Sequence, residues 1–291
     1  MANIHEGSIS MTVGIFDSLI ERVETVFFLI AGAILLIELA EAWFKGSLKG
    51  KKIMEMVASA STQIPSIAFE TLIMTGAYAV YYIIAESFVT WTIPIAWWSI
   101  ALGLLVADFL YYWEHRIAHE VRLLWTQHAV HHSSRDYNII TAIRFGPFEG
   151  VWALIIHIPM ILMGFSPEMV FFGQIAVLAY QTWLHTETIG KLGPVEKVLN
   201  TPSHHRVHHG ADDKYLDKNY AGILIIWDRM FGTFQVEEET PRYGLKRDFD
   251  SQNPIQVWFS ELPQLWRDLK SAKSMREVFM RLFARPGWEP K

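Results

Sequence analysis

The chain has 291 residues, of which 51% are hydrophobic, 14% aromatic and only 19% charged. That composition excludes a disordered chain, and apolar residues gathered in long blocks favour a membrane protein over a soluble domain. A formal net charge of −5 argues against a nucleic-acid partner, whose phosphates demand a basic surface.

Runs of about 20 apolar residues, the length that crosses the hydrocarbon core, occur at 26–44, 64–85 and 91–113, with shorter ones at 148–165 and 169–184. Only Ser166, Pro167 and Glu168 separate the last two, which predicts a tight helical hairpin, tilted or short of a full crossing. Four or five membrane helices are expected. The first 22 residues lack the basic start and early apolar core of a cleaved signal peptide, so the first helix is expected to be its own targeting signal. Lys45, Lys49, Lys51 and Lys52 follow the first run, and Arg116, Arg122, Arg135 and Arg144 lie between the third and fourth. The links 86–90 and 166–168 hold no lysine or arginine, so the positive-inside rule puts every basic loop in the cytoplasm, beneath a bacterial inner membrane or the endoplasmic reticulum. The histidine-rich segments and the polar stretch 186–291 fall on that side. Glu38 and Glu70 are expected to face the bundle interior, Glu41 and Glu86 to reach water, and Trp91, Trp97 and Trp98 to form an aromatic belt at the far side. No repeat, P-loop or G-x-G-x-x-G occurs.

Cysteine is absent, which removes disulfide frameworks, thiolate zinc, iron–sulfur and haem sites, and cysteine nucleophiles together. Histidine is abundant: of 12, 11 lie between His115 and His209, leaving His5 alone near the N-terminus. His115 and His119 are four apart, a spacing that stacks two imidazoles on one helix face, continued backwards by Tyr112 and Asp108. His128, His131 and His132 form an i, i+3, i+4 set. His205, His208 and His209 repeat it between Thr201-Pro202-Ser203, a helix start, and Gly210, a stop. His185 lies just past the last apolar run. Nine such histidines suit two metal ions with four or five imidazoles each and a position left open for oxygen or water, although imidazole alone does not name the metal. One cluster could be interfacial side chains; three at helical metal spacing argue for ligation.

These boxes, H-x-x-x-H, H-x-x-H-H and H-x-x-H-H in that order around membrane helices, resemble the fatty acid hydroxylase and sterol desaturase superfamily across 108–234. Longer strings are similar to its alkylglycerol monooxygenase branch: HAVHHSSRDYN at 128–138, HTE at 185–187, NTPSHHRVHHG at 200–210, NYAG at 219–222 and WDRMFGT at 227–233. The resemblance implies a membrane-bound non-haem di-iron oxygenase that uses dioxygen to hydroxylate a lipid C–H bond, with His115, His119, His128, His131, His132, His185, His205, His208 and His209 holding two iron ions. That branch hydroxylates the carbon beside an ether oxygen with tetrahydropterin, and the hemiacetal breaks to an aldehyde. A glutamate directly after the first box is linked there to pterin use, and Glu120 stands at that position. Animal members carry further membrane helices, whereas this chain has a polar, Trp-rich tail. With no fused electron carrier, the reductant is expected to be a small molecule such as tetrahydropterin or a separate electron-transfer protein.

The fold expected is an all-α membrane bundle over residues 1–240, bearing a cytoplasmic histidine-rich di-metal cap, with 241–291 as a polar tail that either caps the site or is a surface appendage. Asp108 is expected to accept an imidazole N–H or pair with Arg116. Asp136, Glu187 and Asp228 are weaker candidates for that role, while Asn200 and Asn219 read equally as caps or turn residues. His157 reads as a hydrogen-bonded helix histidine, and His204 as a supplement to the third box. A metalloprotease would need histidine where Leu123 stands. Desaturation by the same metals and non-catalytic metal binding or transport remain as rivals; a transporter would place its ligands near the bilayer midplane.

Overall fold

The computed structural model describes residues 2–290, with side chains described outside 2–13, 64–66, 68 and 70. His5 and Glu70 therefore have side chains outside the described residues. The described chain is helical: α1 (Ala2–Phe44), α2 (Gly50–Phe88), α3 (Trp97–Glu120), α4 (Arg122–His132), α5 (Gly150–Leu162), α6 (Pro167–Thr182), α7 (Pro202–His208), α8 (Ile226–Phe231), α9 (Pro254–Trp258), α10 (Leu262–Lys270) and α11 (Met275–Phe283), with 3-10 turns at Ile139–Ile143 and Gly193–Lys197.

Two helical stretches, Gly14–Phe44 and Thr71–Phe88, are long and apolar enough to cross a membrane, and only 6% and 11% of their apolar windows are buried. Phe28, Leu29, Leu36, Leu72 and Ile83 point outward. A core helix of a soluble protein would hide such residues; an apolar exterior belongs in lipid. The third run is shorter than its hydropathy suggests. Pro94 lies in a non-helical stretch, 91–96, that packs across the α5–α6 turn through Ile93 N to Gly164 O (2.8 Å) and Trp91 Nε1 to Met163 O (3.0 Å), and α3 begins only at Trp97. The two shorter runs form α5 and α6, of 13 and 16 residues. At 1.5 Å per residue they extend about 20 and 24 Å, less than the roughly 30 Å core. Ser166 accepts from Met169 N and Pro167 opens α6, so the predicted hairpin has a capped start.

Contacts fix the directions. Phe16 meets Phe172, Phe27 meets Tyr180 and Glu38 bonds Thr186, so α1 runs beside α6 with the same sense. A Cβ on Gly173 would stand 2.7 Å from that of Ala107, so α3 and α6 touch where only small residues fit. α2 and α5 return in the opposite sense. The core lies among Tyr81, Ala107, Met160, Ile161, Met169, Val170 and Val177. All three parallel helices deliver their C-terminal ends to one place, where the histidines are.

Arg122 and Arg144, read from sequence as loop charges, are buried. Arg144 is fully enclosed, donating to Glu55 Oε1 (3.0 Å), Ser59 Oγ (3.0 Å), Ser133 Oγ and Val130 O. Arg122 pairs with Asp268 of α10. Both are structural ions satisfied inside the protein. Glu38 faces inward as expected, accepting from Ile139 N and Thr186 Oγ1. Glu41 pairs with Lys45, and Glu86 is exposed.

Candidate metal centre

α3 carries His115 and His119 beyond its apolar section, α4 carries His128, His131 and His132, His185 follows α6, and α7 with the next residue carries His205, His208 and His209. The structure gathers all nine, buried, into two groups. His115, His119, His128, His132 and His208 form one; His131, His185, His205 and His209 form the other, with the ligand-capable atoms of each group within 4.8 Å of one another. The i, i+4 pairs 115/119, 128/132 and 205/209 stay together, whereas each i+3 member crosses to the other group. Adjacent helix positions are rotated by about 100°, so His131 and His132, like His208 and His209, face different groups.

Ring nitrogens meet without a shared partner: His115 Nε2 to His128 Nε2 is 2.9 Å, His128 to His132 3.2 Å, His131 to His185 3.0 Å, His185 to His205 2.9 Å and His205 to His209 3.2 Å. An ion about 2.1 Å from two imidazole nitrogens at right angles sets them roughly 3.0 Å apart, against roughly 3.4 Å for a tetrahedron. The spacing fits imidazole nitrogens that share a cation. His119 Nε2 and His208 Nε2 are buried without any hydrogen-bond partner, as lone pairs aimed at a cation would be. Burial, aided by neighbouring imidazoles, holds His115, His119, His131, His132, His205 and His209 well below the ordinary range, and lowers His185 and His208 to about 4 and about 3. They are neutral near pH 7, the form that binds metal.

The opposite nitrogens of five of these histidines are anchored, whereas His205 Nδ1 is buried without a hydrogen-bond partner. His115 Nδ1 donates to Tyr220 O (2.9 Å), His131 Nδ1 to Arg144 O (3.3 Å), His185 Nδ1 to Gln181 O (3.0 Å) and His208 Nδ1 to Lys218 O (3.0 Å); His128 Nδ1 meets the Glu149 carboxylate. Such bonds turn each Nε2 inward as the free lone pair.

Asp108 differs from the expectation. It bonds neither an imidazole nor Arg116, but accepts from Ile223 N (2.6 Å), Leu224 N (3.0 Å) and Trp227 Nε1 (2.8 Å). Asp228 accepts from Tyr220 N and Ala221 N, both at 2.8 Å, Asn200 Nδ2 donates to Ala221 O (2.6 Å), and Asn219 Nδ2 donates to His204 O and Gln235 O. Four polar side chains thus clamp the loop whose carbonyls orient His115 and His208. Asp217 and Asn219, at φ 57° and 55°, hold the left-handed backbone on either side of Lys218. Gly222 is required: a Cβ there would lie 2.6 Å from Val177 Cγ1 and 2.8 Å from Asp108 Oδ1.

Glu120 belongs to neither group; it accepts from Arg116 Nε (3.1 Å) and Arg285 Nη2 (2.9 Å). Asp136 pairs with Lys52 and Glu187 accepts from Tyr243, so neither orients a box histidine. His157 donates to Ala153 O within α5, and His204 packs on Phe234 outside both groups. Sequence reasoning missed Glu149, 21 residues from His128, and Arg144 as a structural residue. The only trace of Glu149 was an acid at the start of the apolar run 148–165.

A cavity of 790 Å³ opens onto the centre, lined by His119, His132, His208 and His209, and on its other wall by tail residues that include Arg281, Arg285 and Trp288. That volume is ordinary for a small-molecule site.

Residues 100–233 match the sequence profile of the fatty acid hydroxylases. The chain is 40% identical over 275 residues to alkylglycerol monooxygenase of Homo sapiens, covering 91% of this chain and 59% of that protein. Against the Danio rerio enzyme of the same name it is 38% identical over 262 residues, covering 88% and 58%. An ornithine lipid hydroxylase of Rhizobium tropici is 36% identical over 138 residues, covering 47% of this chain and 41% of the relative. The chain thus spans about three-fifths of the alkylglycerol monooxygenases it matches. No solved structure matches it.

Proposed function

We propose that this chain, whose residues 100–233 match the fatty acid hydroxylase profile, is a member of that family and a multi-pass membrane monooxygenase that hydroxylates a lipid C–H bond from the cytoplasmic side. The carrying observation is the pair of facing groups of buried imidazoles beside one cavity. In this reading His115, His119, His128, His132 and His208 hold one iron, and His131, His185, His205 and His209 the other. When bound, the pair supplies reduction of dioxygen and an oxidant able to attack an unactivated C–H bond.

The chain's own residues do the rest. Glu149 and the carbonyls of Tyr220, Lys218, Arg144 and Gln181 aim the Nε2 atoms of His128, His115, His208, His131 and His185. Asp108 and Asp228 position histidines through the clamped loop. The charged outer wall of the cavity suits a polar head group or a small polar reductant, and Glu120, bonded to Arg285 of that wall, supports tetrahydropterin over a protein donor. Ether lipids of the alkylglycerol type head the substrate classes, from the relatives' names; fatty acyl and sterol-like lipids follow. Two or all three of α3, α5 and α6 complete a bundle of four or five membrane helices.

Growth under oxygen-18 gas with mass spectrometry of membrane lipids tests this. Label in a lipid, or in a promptly trapped aldehyde, from wild type but not His132→Ala cells is expected. Loss of two hydrogens without label would make the enzyme a desaturase, and no lipid change with adequate reductant would leave metal binding alone.

A further inference from the structure

The tail 241–291, polar by composition, folds into helices whose outer faces are apolar. Ile255 is 66% exposed, Trp266 60%, Met275 80% and Phe279 59%, with Phe259 and Phe283 beside them. Ile255/Phe259 and Met275/Phe279/Phe283 recur every fourth residue, so each helix shows one apolar stripe. Between α10 and α11 runs a groove of 630 Å³ walled by Leu123, Phe259, Leu262, Trp266, Leu269 and Leu282.

Charge distinguishes this segment from the rest. Residues 262–285 contain six basic and two acidic residues, in a chain of net charge −5. Both acids are engaged: Asp268 by Arg122, and Glu277 by the backbone N–H of Lys273. Among the described residues no ion pair involves Lys270, Lys273 or Arg276, and Lys270 Nζ lies 4.9 Å from the Trp266 ring centre. Apolar stripes edged by free cations and an aromatic are the pattern of a helix lying in an anionic membrane interface. The segment is also tied to the bundle. Arg122 N, at the α3–α4 junction, donates to Ala284 O (3.0 Å), and α9 packs on α2, which continues into the second apolar span.

We propose that α9 to α11 dock in the plane of the membrane surface on a bilayer containing anionic lipid, with Ile255, Trp266, Phe279 and the groove taking acyl chains and Lys270, Lys273 and Arg276 the phosphates. This rests on the membrane reading of α1 and α2 but not on the chemistry. The absence of cysteine makes single-site spin labelling direct. Full-length chain is reconstituted in vesicles and labelled at Trp266→Cys or Phe279→Cys, with Leu36→Cys as the membrane control and the exposed Asp248→Cys as the aqueous control. Labels at 266 and 279 are expected to be shielded from a water-soluble nickel chelate and accessible to oxygen in vesicles with phosphatidylglycerol. Lys270→Gln should weaken that docked state about five-fold. Labels at 266 and 279 as open to nickel as the one at 248, while 36 stays shielded, would overturn the proposal and leave the membrane reading standing. Shielding that follows the number of chains per vesicle rather than lipid charge would overturn it too, assigning the face to a second protein copy.

Discussion

The two histidine groups are built from the same boxes yet held differently. The five-histidine group has a carboxylate, Glu149, on His128, and three members, His119, His132 and His208, on the cavity wall. The four-histidine group has only backbone carbonyls as anchors, from Arg144 and Gln181, and only His209 on that wall. Both groups are anchored by backbone carbonyls, but the first also has a carboxylate partner and lies more open to the cavity. In the proposed enzyme the first group therefore sits nearer to whatever enters the cavity.

The largest effect expected is from His132→Ala, which should abolish turnover and lower metal content while leaving membrane insertion intact. Full metal content by elemental analysis, with full activity, would remove His132 from the ligand set. Metal removal itself should destabilise the fold, because facing lone pairs then lose their common partner; a chelator-treated sample with an unchanged Tm would count against any bound metal. Arg144→Met should cost about 3–5 kcal/mol in denaturation by leaving the Glu55 carboxylate buried without its cation. Next, Glu149→Gln should weaken metal binding by the five-histidine group about 10–100-fold with the four-histidine group unaffected. Metal titrations showing equal weakening at both would erase the distinction between them. Smallest in stability is Glu120→Gln, within about 1 kcal/mol because its ion pairs are partly exposed; if Glu120 serves the reductant, the KM for tetrahydropterin rises while Tm holds.

The histidine boxes were legible because helical periodicity is local: four residues apart on a helix means the same face, whatever surrounds it. Helix α7 begins at Pro202 and ends at His208, close to the predicted start and stop. Gly210 serves by close packing, since a Cβ there would lie 2.8 Å from that of Tyr215. The first two apolar runs were legible as hydropathy, but the extent of the third was not, because Pro94 and the α5–α6 turn draw 91–96 out of the helix. Asp108 stood out as a buried acid on the box face; its true partners lie more than 100 residues on, at 223, 224 and 227, and local spacing gives no access to them.

Sequence by itself determined the helical, lipid-facing character of the chain and the nine clustered imidazoles, since both follow from composition and short-range periodicity. Tertiary structure alone decided how those imidazoles sort into five and four and which carbonyls aim them. It also decided that tail residues line the cavity. Backbone carbonyls have no residue letter, and the 100° between adjacent helix positions becomes a division only when three helices converge from different directions.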